Sequence, residues 1–204
     1  MTSSPHESHF DERASTWDSP AKVAQSQEVA ASIRAAVALT KSTRMLEYGA
    51  GTGLLTQALR DDVGPVTLAD TSAGMRGQIE QKIADGALVG ARVWGLDLST
   101  AVPPDEQFDL VVTVLALHHI VEVDAVLAAF AALLASGGHL CVVDLEASDG
   151  TFHAHGFVGH DGFARDDLEL RLRNVGFSDA QFSSCGVVER DTGTYPMFLA
   201  VATR

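Results

Sequence analysis

The chain has 204 residues, 46% of them hydrophobic, which is enough for one well-buried core and short for two ordinary domains. Its formal charge is −13, from 14 basic and 27 acidic residues, and no Lys/Arg cluster stands out, so a nucleic-acid partner is not expected. The opening stretch MTSSPHESHFDERASTWDSP is polar and no long apolar run follows it, so the reading predicts a cytoplasmic protein without a signal peptide or membrane partner.

After the polar arm, residues 19–40 carry Val23, Val29, Ile33 and Val37 at near-helical spacing and predict a helix. Short apolar runs at 44–48 and 66–69 read as strands, the second introduced by the breaker pair Gly64-Pro65. Between them, 53–60 places Leu54, Leu55, Ala58 and Leu59 on one helical face. A helix from 71 to about 84 follows, with Met75, Ile79 and Ile83 four apart, then strands at 91–96 and 108–115. The run LVVTVLAL is apolar except at Thr113, which suits a strand covered on both faces. A helix at about 121–135 and a strand at 139–145 continue the alternation. Cys141 falls inside that last run and lies far in sequence from Cys185, so neither a disulfide nor a cysteine metal site is suggested.

Residues 147–162, ASDGTFHAHGFVGHDG, are rich in Gly and His without periodicity and read as a long loop, a feature that usually has a task. Leu168, Leu172 and Val175 mark a last helix, ended by Gly176 in the left-handed position past its C-terminus. Strands at 177–185 and 196–202 complete seven. Alternating strands and helices of this kind imply a three-layer α/β fold, a mostly parallel doubly wound sheet with helices on both faces.

LEYGAGTGLLT (46–56) puts Gly49, Gly51 and Gly53 on alternate positions between a strand and a helix N-terminus, where backbone without Cβ atoms admits a ligand closely. A dinucleotide site wants G-x-G-x-x-G, and its third position here is Leu54. No Gly-Lys-Ser/Thr follows, which excludes a phosphate-binding Walker loop. Glu47 before the turn suits a ligand bearing an ammonium group better than a polyphosphate. His118 and His119 sit where a strand gives way to a helix, facing the crevice at the carboxyl ends of the strands.

Together these motifs resemble the class I, seven-stranded S-adenosylmethionine-dependent methyltransferases, in the small-molecule branch typified by ubiquinone/menaquinone-biosynthesis enzymes. The resemblance runs from about Phe10 to Val201 and rests on five elements in order: Glu47-x-Gly49-x-Gly51-x-Gly53, Asp70 in TLADTSAGM, Asp97 in GLDLS, FDLVVTVLALHHI, and LLASGGHLCVVD. It implies a Rossmann-like fold with an antiparallel last strand. It also implies S-adenosyl-L-methionine as cofactor, S-adenosyl-L-homocysteine as product, and a small-molecule acceptor for a monomer or homodimer. Asp70 would accept from both ribose hydroxyls; Asp97 would take the adenine amino group beside the Leu98 N–H. Ala50, Thr71, Met75 and Val114 complete the cofactor surroundings. Residues 1–40 would cover the cofactor, with Trp17 near the sulfonium, and 41–204 would form the binding domain of a single globular unit.

Methyl transfer asks mainly for alignment, with a base needed only where the acceptor arrives protonated. His119 is the candidate base, since an imidazole titrates near working pH, and His118, His153 and His155 are candidates for the acceptor pocket. The loop's HAH and GHD lack metal-ligand spacing, so no metal is expected. Two alternatives stay open: a non-catalytic S-adenosylmethionine-binding module, and a nicotinamide-dependent oxidoreductase.

Overall fold

The computed structural model describes residues 5–153, 156–178 and 180–204, with side chains from His9 onward. The arm contains a helix that the sequence reading left unassigned, α1 (Pro5–Arg13), followed by a single tight helical turn at Ala14–Thr16. α2 (Pro20–Ala36) starts sharply because Pro20 opens it and the Ser19 hydroxyl accepts the Lys22 N–H. Then come β1 (Met45–Tyr48), α3 (Leu54–Leu59), β2 (Val66–Ala69), α4 (Ala73–Ala84), β3 (Arg92–Trp94) and β4 (Phe108–Val114). α5 (Val123–Leu133), β5 (Leu134–Leu145), α6 (Arg165–Asn174), β6 (Gln181–Arg190) and β7 (Gly193–Thr203) complete the order.

The strands form a seven-stranded sheet in the order β3-β2-β1-β4-β5-β7-β6. β7 is antiparallel to both β5 and β6, while β1 to β5 are parallel. Val29, Ile33, Leu55, Leu59 and Ile79, from α2, α3 and α4, pack on one face together with Leu110 and Val112 of β4. Val126, Phe130, Leu168 and Leu172, from α5 and α6, pack on the other with Val111. Residues from both neighbours of Val111 face the opposite layer, so β4 is covered twice, as its unbroken apolar run requires. α2 therefore belongs to the core, and only α1 and the turn after it lie outside the two helix layers.

Three boundaries differ from the sequence reading for local reasons. β5 begins at Leu134 and not at His139, because the ladder with β4 shifts register between Phe108 and Leu110 and resumes beyond Gly137 (φ 77°). β6 begins at Gln181, because the end of α6 uses the residues before it: Gly176 takes φ 94° and the Phe177 N–H bonds the Leu172 carbonyl at 3.0 Å. α6 itself starts at Arg165, one turn ahead of the first apolar residue, with Asp166 and Asp167 in its first turn.

Trp94, Ala69, Tyr48 and Thr113 lie in one row across β3, β2, β1 and β4, and Thr113 pairs with Val142 of β5. All five carboxyl ends consequently open on one edge of the sheet. The chain winds away from β1 in one direction through β2 and β3 and in the other through β4 and β5, which makes that edge a topological switch point.

Candidate functional site

Gly49, Gly51 and Gly53 all take left-handed backbone, with φ of 69°, 56° and 79°. A Cβ on Gly49 would stand 2.4 Å from the Ala116 Cβ, and one on Gly53 2.8 Å from Leu68 Cδ2, so these two glycines allow tight packing. Gly51 differs: its nearest neighbour is Trp17 Nε1 of the arm, 3.5 Å from where a Cβ would be. The indole thus roofs the one glycine whose open side leads out of the core. Ala50 is buried and its N–H bonds the Ala69 carbonyl at 3.0 Å.

Asp70 ties this turn to β2. Its carboxylate accepts the Gly51 N–H at 2.8 Å and the Ser72 N–H at 2.9 Å, one on each oxygen, so each oxygen retains a lone pair. Burial raises its pKa, and the two backbone donors oppose that rise. Thr71 is exposed and gives its carbonyl to Arg76 at 2.7 Å. Met75 is buried, with its N–H capped by the Ser72 hydroxyl at 3.1 Å.

Asp97 accepts the Ser99 N–H and hydroxyl on Oδ1, at 2.9 and 2.6 Å. The Leu98 amide is already committed: it donates to the Tyr48 hydroxyl at 3.0 Å, and its side chain is core. The Leu98 N–H, expected beside the adenine, is thus engaged by a side chain of β1. Tyr48 is buried beside Asp97 and Asp70, and its phenol is pushed up to about 12, mainly by burial.

Glu47 is buried at 3% exposure, accepting both the N–H (3.1 Å) and the hydroxyl of Thr56 on Oε2. That N–H is a first-turn donor of α3, so the acid caps the helix that follows the glycine turn. Burial raises its pKa from 4.5 to about 7. A carboxyl raised on folding holds its proton more tightly in the folded state, so its contribution is fully present below pH 4.5 and is lost as the pH rises through 7. Glu47→Gln removes that liability. The apo variant should match the parent at pH 4 and exceed it at pH 8 by up to about 3 kcal/mol. Denaturant melts across this range test it, and parallel stability curves for the two proteins would sink the idea.

The arm is pinned at two points. Asp11 accepts the Ser72 hydroxyl at 2.5 Å and the Gly74 N–H at 2.8 Å, placing α1 on the N-terminus of α4, and its pKa is lowered by these bonds, Ser72 foremost. Asp18 accepts the Thr52 hydroxyl and pairs with Lys82 at 2.7 Å. Between the pins, Trp17 meets Phe10 edge to face at 5.6 Å, and one of its faces carries the Lys22 ammonium, 2.6 Å from the ring centroid.

Val114 ends β4, and the next residue, Leu115, holds φ 50°, a left-handed conformation that a branched side chain adopts only under constraint. Its N–H bonds the Val143 carbonyl at 2.8 Å, and the turn it sets delivers the tight helical turn Leu117–His119. His118, at 1% exposure, points Nδ1 at Asp144 Oδ1 over 2.5 Å. Asp144, at 0%, also accepts the His118 N–H (3.2 Å) and the Leu145 N–H (2.8 Å). With Nδ1–H donated to the carboxylate, the lone pair lies on Nε2, a buried atom for which the described residues supply no hydrogen-bond partner.

The long loop closes over this nitrogen. Rings of Phe152, His153 and Phe157 stand 6.0, 5.1 and 6.5 Å from His118, with His153 and Phe157 stacked face to face at 3.5 Å and 8°. Gly159 lets the loop dock on the backbone, since a Cβ there would come 2.4 Å from the His118 carbonyl oxygen. His119, half-buried, lies edge-on to Phe10 at 5.4 Å, which joins arm and loop in one aromatic cluster. The carboxylate partner therefore belongs to His118 and not to His119, the sequence reading's candidate base. His155 lies outside the described residues, and His160 packs against Phe163 at 5.3 Å, away from the stack. No group of three or more His, Cys, Asp or Glu among the described residues is placed to hold a metal ion. Nor is any described helix long and apolar enough to cross a membrane.

Sequence reasoning missed Asp144, Asp11, Asp18 and Leu115. For Asp144 a signal existed: an acid directly after LCVV at the end of a buried strand needs a partner. Asp11 and Asp18 fall in the arm segment HFDERASTWDSP, for which the resemblance implied a cofactor cover but no role for the acids, and Leu115 has no local signature.

A family model described as a methyltransferase domain matches residues 23–182. The biotin-biosynthesis bifunctional protein BioCD of Bordetella avium is 36% identical over 113 residues, which is 54% of this chain and 23% of that protein. The ubiquinone/menaquinone biosynthesis C-methyltransferase UbiE of Shewanella halifaxensis is 31% identical over 105 residues, 50% of this chain and 42% of that one. The chain thus spans less than half the length of these two curated relatives. Among solved structures, the N-methyltransferase NodS of Bradyrhizobium japonicum, in complex with S-adenosylhomocysteine, superposes with TM-score 0.67 at 20% identity, over 92% of this chain and 89% of that one. The [4+2]-cyclase SpnF superposes with TM-score 0.71 at 16% identity, over 87% and 80%. These two likenesses bear on the fold alone.

Proposed function

The chain belongs to the methyltransferase-domain family, and on that footing we propose that it transfers a methyl group from S-adenosylmethionine to a protonated small-molecule acceptor. The observation that carries this reading is the meeting, on one sheet edge, of a glycine turn flanked by buried Glu47 and half-buried Asp70 with a buried His118–Asp144 pair whose Nε2 has no partner among the described residues.

The donor set fits the cofactor. Asp70 keeps a lone pair on each oxygen for two ribose hydroxyls, the Asp97 carboxylate stands beside Tyr48 to accept an exocyclic amine, and Glu47 keeps Oε1 for an ammonium group. Gly51, under Trp17, leaves room for close approach. When bound, the cofactor supplies an electrophilic methyl on a positively charged sulfur. The protein's own work is alignment and proton removal. Asp144 fixes the tautomer and orientation of His118 by taking the Nδ1 hydrogen, and His118 Nε2 then accepts the proton of the acceptor's nucleophilic group. The resulting imidazolium stays hydrogen-bonded to the Asp144 carboxylate. The arm, pinned through Asp11 and Asp18, covers the turn and keeps water from the reacting atoms. UbiE, named for ubiquinone/menaquinone biosynthesis, supports a small acceptor, and the acidic chain lacks a nucleic-acid footprint.

Calorimetric titration with S-adenosylmethionine and S-adenosylhomocysteine, with NADH as control, tests the cofactor assignment. Micromolar binding of the first two and none of NADH is expected; absence of both sulfur ligands ends the methyltransferase reading.

A further inference from the structure

We infer, building on the methyltransferase reading, that the acceptor is a planar aromatic acid bearing a hydroxyl group: its ring takes the Phe157 slot against His153, its hydroxyl meets His118 Nε2, and its anionic group meets Arg13, Lys22 and Arg190. Two independent features lead there, one of shape and one of charge.

The shape comes from the closed loop. Phe157 lies flat on His153 at 3.5 Å and 8°, edge-on to His119 at 5.5 Å, and 6.5 Å from His118. One planar six-membered ring is thus already accommodated between aromatic walls, its centroid 6.5 Å from that of the His118 imidazole, whose buried Nε2 has no partner among the described residues. Phe10 and Phe152 extend the walls on either side. Such a slot accepts a second flat ring in place of the first by stacking, and gives an aliphatic chain little to hold.

The charge comes from the distribution of cations. Of the 14 Lys and Arg residues, Arg34, Lys41, Arg44, Lys82, Arg92, Arg165, Arg171 and Arg173 form ion pairs. Arg60, Arg76 and Arg204 donate to backbone carbonyls. The remaining three, Arg13, Lys22 and Arg190, form no ion pair among the described residues, although the chain carries an excess of thirteen negative charges. All three gather at the rim of the aromatic cluster: Lys22 over Trp17 at 2.6 Å, Arg13 at 5.6 Å from the same ring, and Arg190 over Phe152 at 4.8 Å. Burial first, and then the nearby Arg13 and Arg190 charges, lower the Lys22 pKa to about 7, whereas Asp18 acts the other way. Asp18 itself is engaged by Lys82 and Thr52, and Arg13 makes one further contact, with His9 at 3.3 Å. Two guanidinium groups and an amine crowded together, with acids in surplus elsewhere, favour an anionic ligand.

The chemistry closes without a further reactant. The acceptor's O–H proton passes to His118 Nε2, the oxygen bonds the methyl carbon, and the carbon–sulfur bond breaks with its electron pair left on sulfur. The products are an aryl methyl ether, S-adenosylhomocysteine and a proton that His118 returns to solvent.

The test loads the protein with S-adenosylhomocysteine and titrates 2-, 3- and 4-hydroxybenzoate, their neutral amides, and lactate as an aliphatic hydroxy acid, by calorimetry. At least one hydroxybenzoate should bind about tenfold tighter than its amide, in line with one charge-assisted contact, and lactate should not bind. Arg190→Gln, an exposed edge-strand change, should erase the acid-over-amide preference with S-adenosylhomocysteine affinity unchanged. Phe157→Ala should tighten the bound hydroxybenzoate several-fold by vacating the slot. With S-adenosylmethionine, mass spectrometry should show the methyl ether. Equal binding of acid and amide, binding of lactate, no binding of any aromatic acid, or a preference that survives in Arg190→Gln overturns the inference and leaves the methyltransferase reading standing. Failure of S-adenosylhomocysteine itself to bind removes both.

Discussion

Replacing His118 by Ala should lower kcat by about 10²- to 10⁴-fold on any acceptor that must lose a proton, while S-adenosylmethionine affinity stays within about twofold. The reason is positional. Among the described residues the side-chain hydrogen bond of His118 runs to Asp144 and to none of the acids around the glycine turn, so its loss would remove the proposed base and leave the proposed cofactor ligands in place. The residual rate should rise about tenfold per pH unit up to the acceptor's own pKa, because only pre-ionised acceptor then reacts. Asp144→Asn should act in the same direction through the imidazole: an amide in place of the carboxylate no longer selects the Nδ1–H tautomer or favours the imidazolium. That variant also places an amide where three N–H groups donate, and should lose about 1–3 kcal/mol of stability, so its melt must be recorded beside its rate. Full kcat in His118→Ala, or a matching loss of cofactor affinity, would remove His118 from the role of base.

Asp70→Asn should weaken S-adenosylmethionine and S-adenosylhomocysteine binding by at least about a hundredfold, from the loss of two charge-assisted acceptor contacts worth about 1.5–3 kcal/mol each. The substitution is nearly isosteric, and the amide oxygen still accepts one of the two backbone donors, Gly51 or Ser72. The other donor then faces an NH2 group, so the turn loosens as the ribose contact is lost. Because burial already raises the Asp70 pKa, neutralising the group relieves a desolvation cost. The apo melt should therefore change little while the titration changes greatly. Affinity within about threefold of the parent would show that Asp70 only braces the turn.

Periodicity and punctuation carried the fold well. Strands buried on both faces announce themselves as unbroken apolar runs, and Gly64-Pro65, Gly176 and the 49–53 glycines mark turns that side chains with a Cβ do not make cheaply. The arm was legible as polar and, through the resemblance, as a cover for the cofactor, but not as a helix. α1 is held by one carboxylate, Asp11, that reaches residues 61 and 63 positions along the chain, and no local pattern encodes a contact of that range. The same limit explains the histidines. His118 and His119 are indistinguishable in HHI, and the choice between them is made by Asp144, 26 residues away, through a one-residue difference in the direction of a tight turn that the strained Leu115 initiates. The hydrogen bond from the Leu98 amide to Tyr48, 50 residues away, was likewise invisible to local pattern.

The place of β7 between β5 and β6 also sets an order of events. During vectorial synthesis, β1 to β5 and their helices emerge first and can assemble a parallel half-sheet, but residues 181–190 then have no strand to join, since every rung of β6 is made with β7. The connection from Arg190 to Gly193 is a two-residue reversal, so the two strands can zip as a local hairpin before docking. Docking then covers the bare edge of β5 in a single step, and until it occurs that edge is open to pairing with another chain.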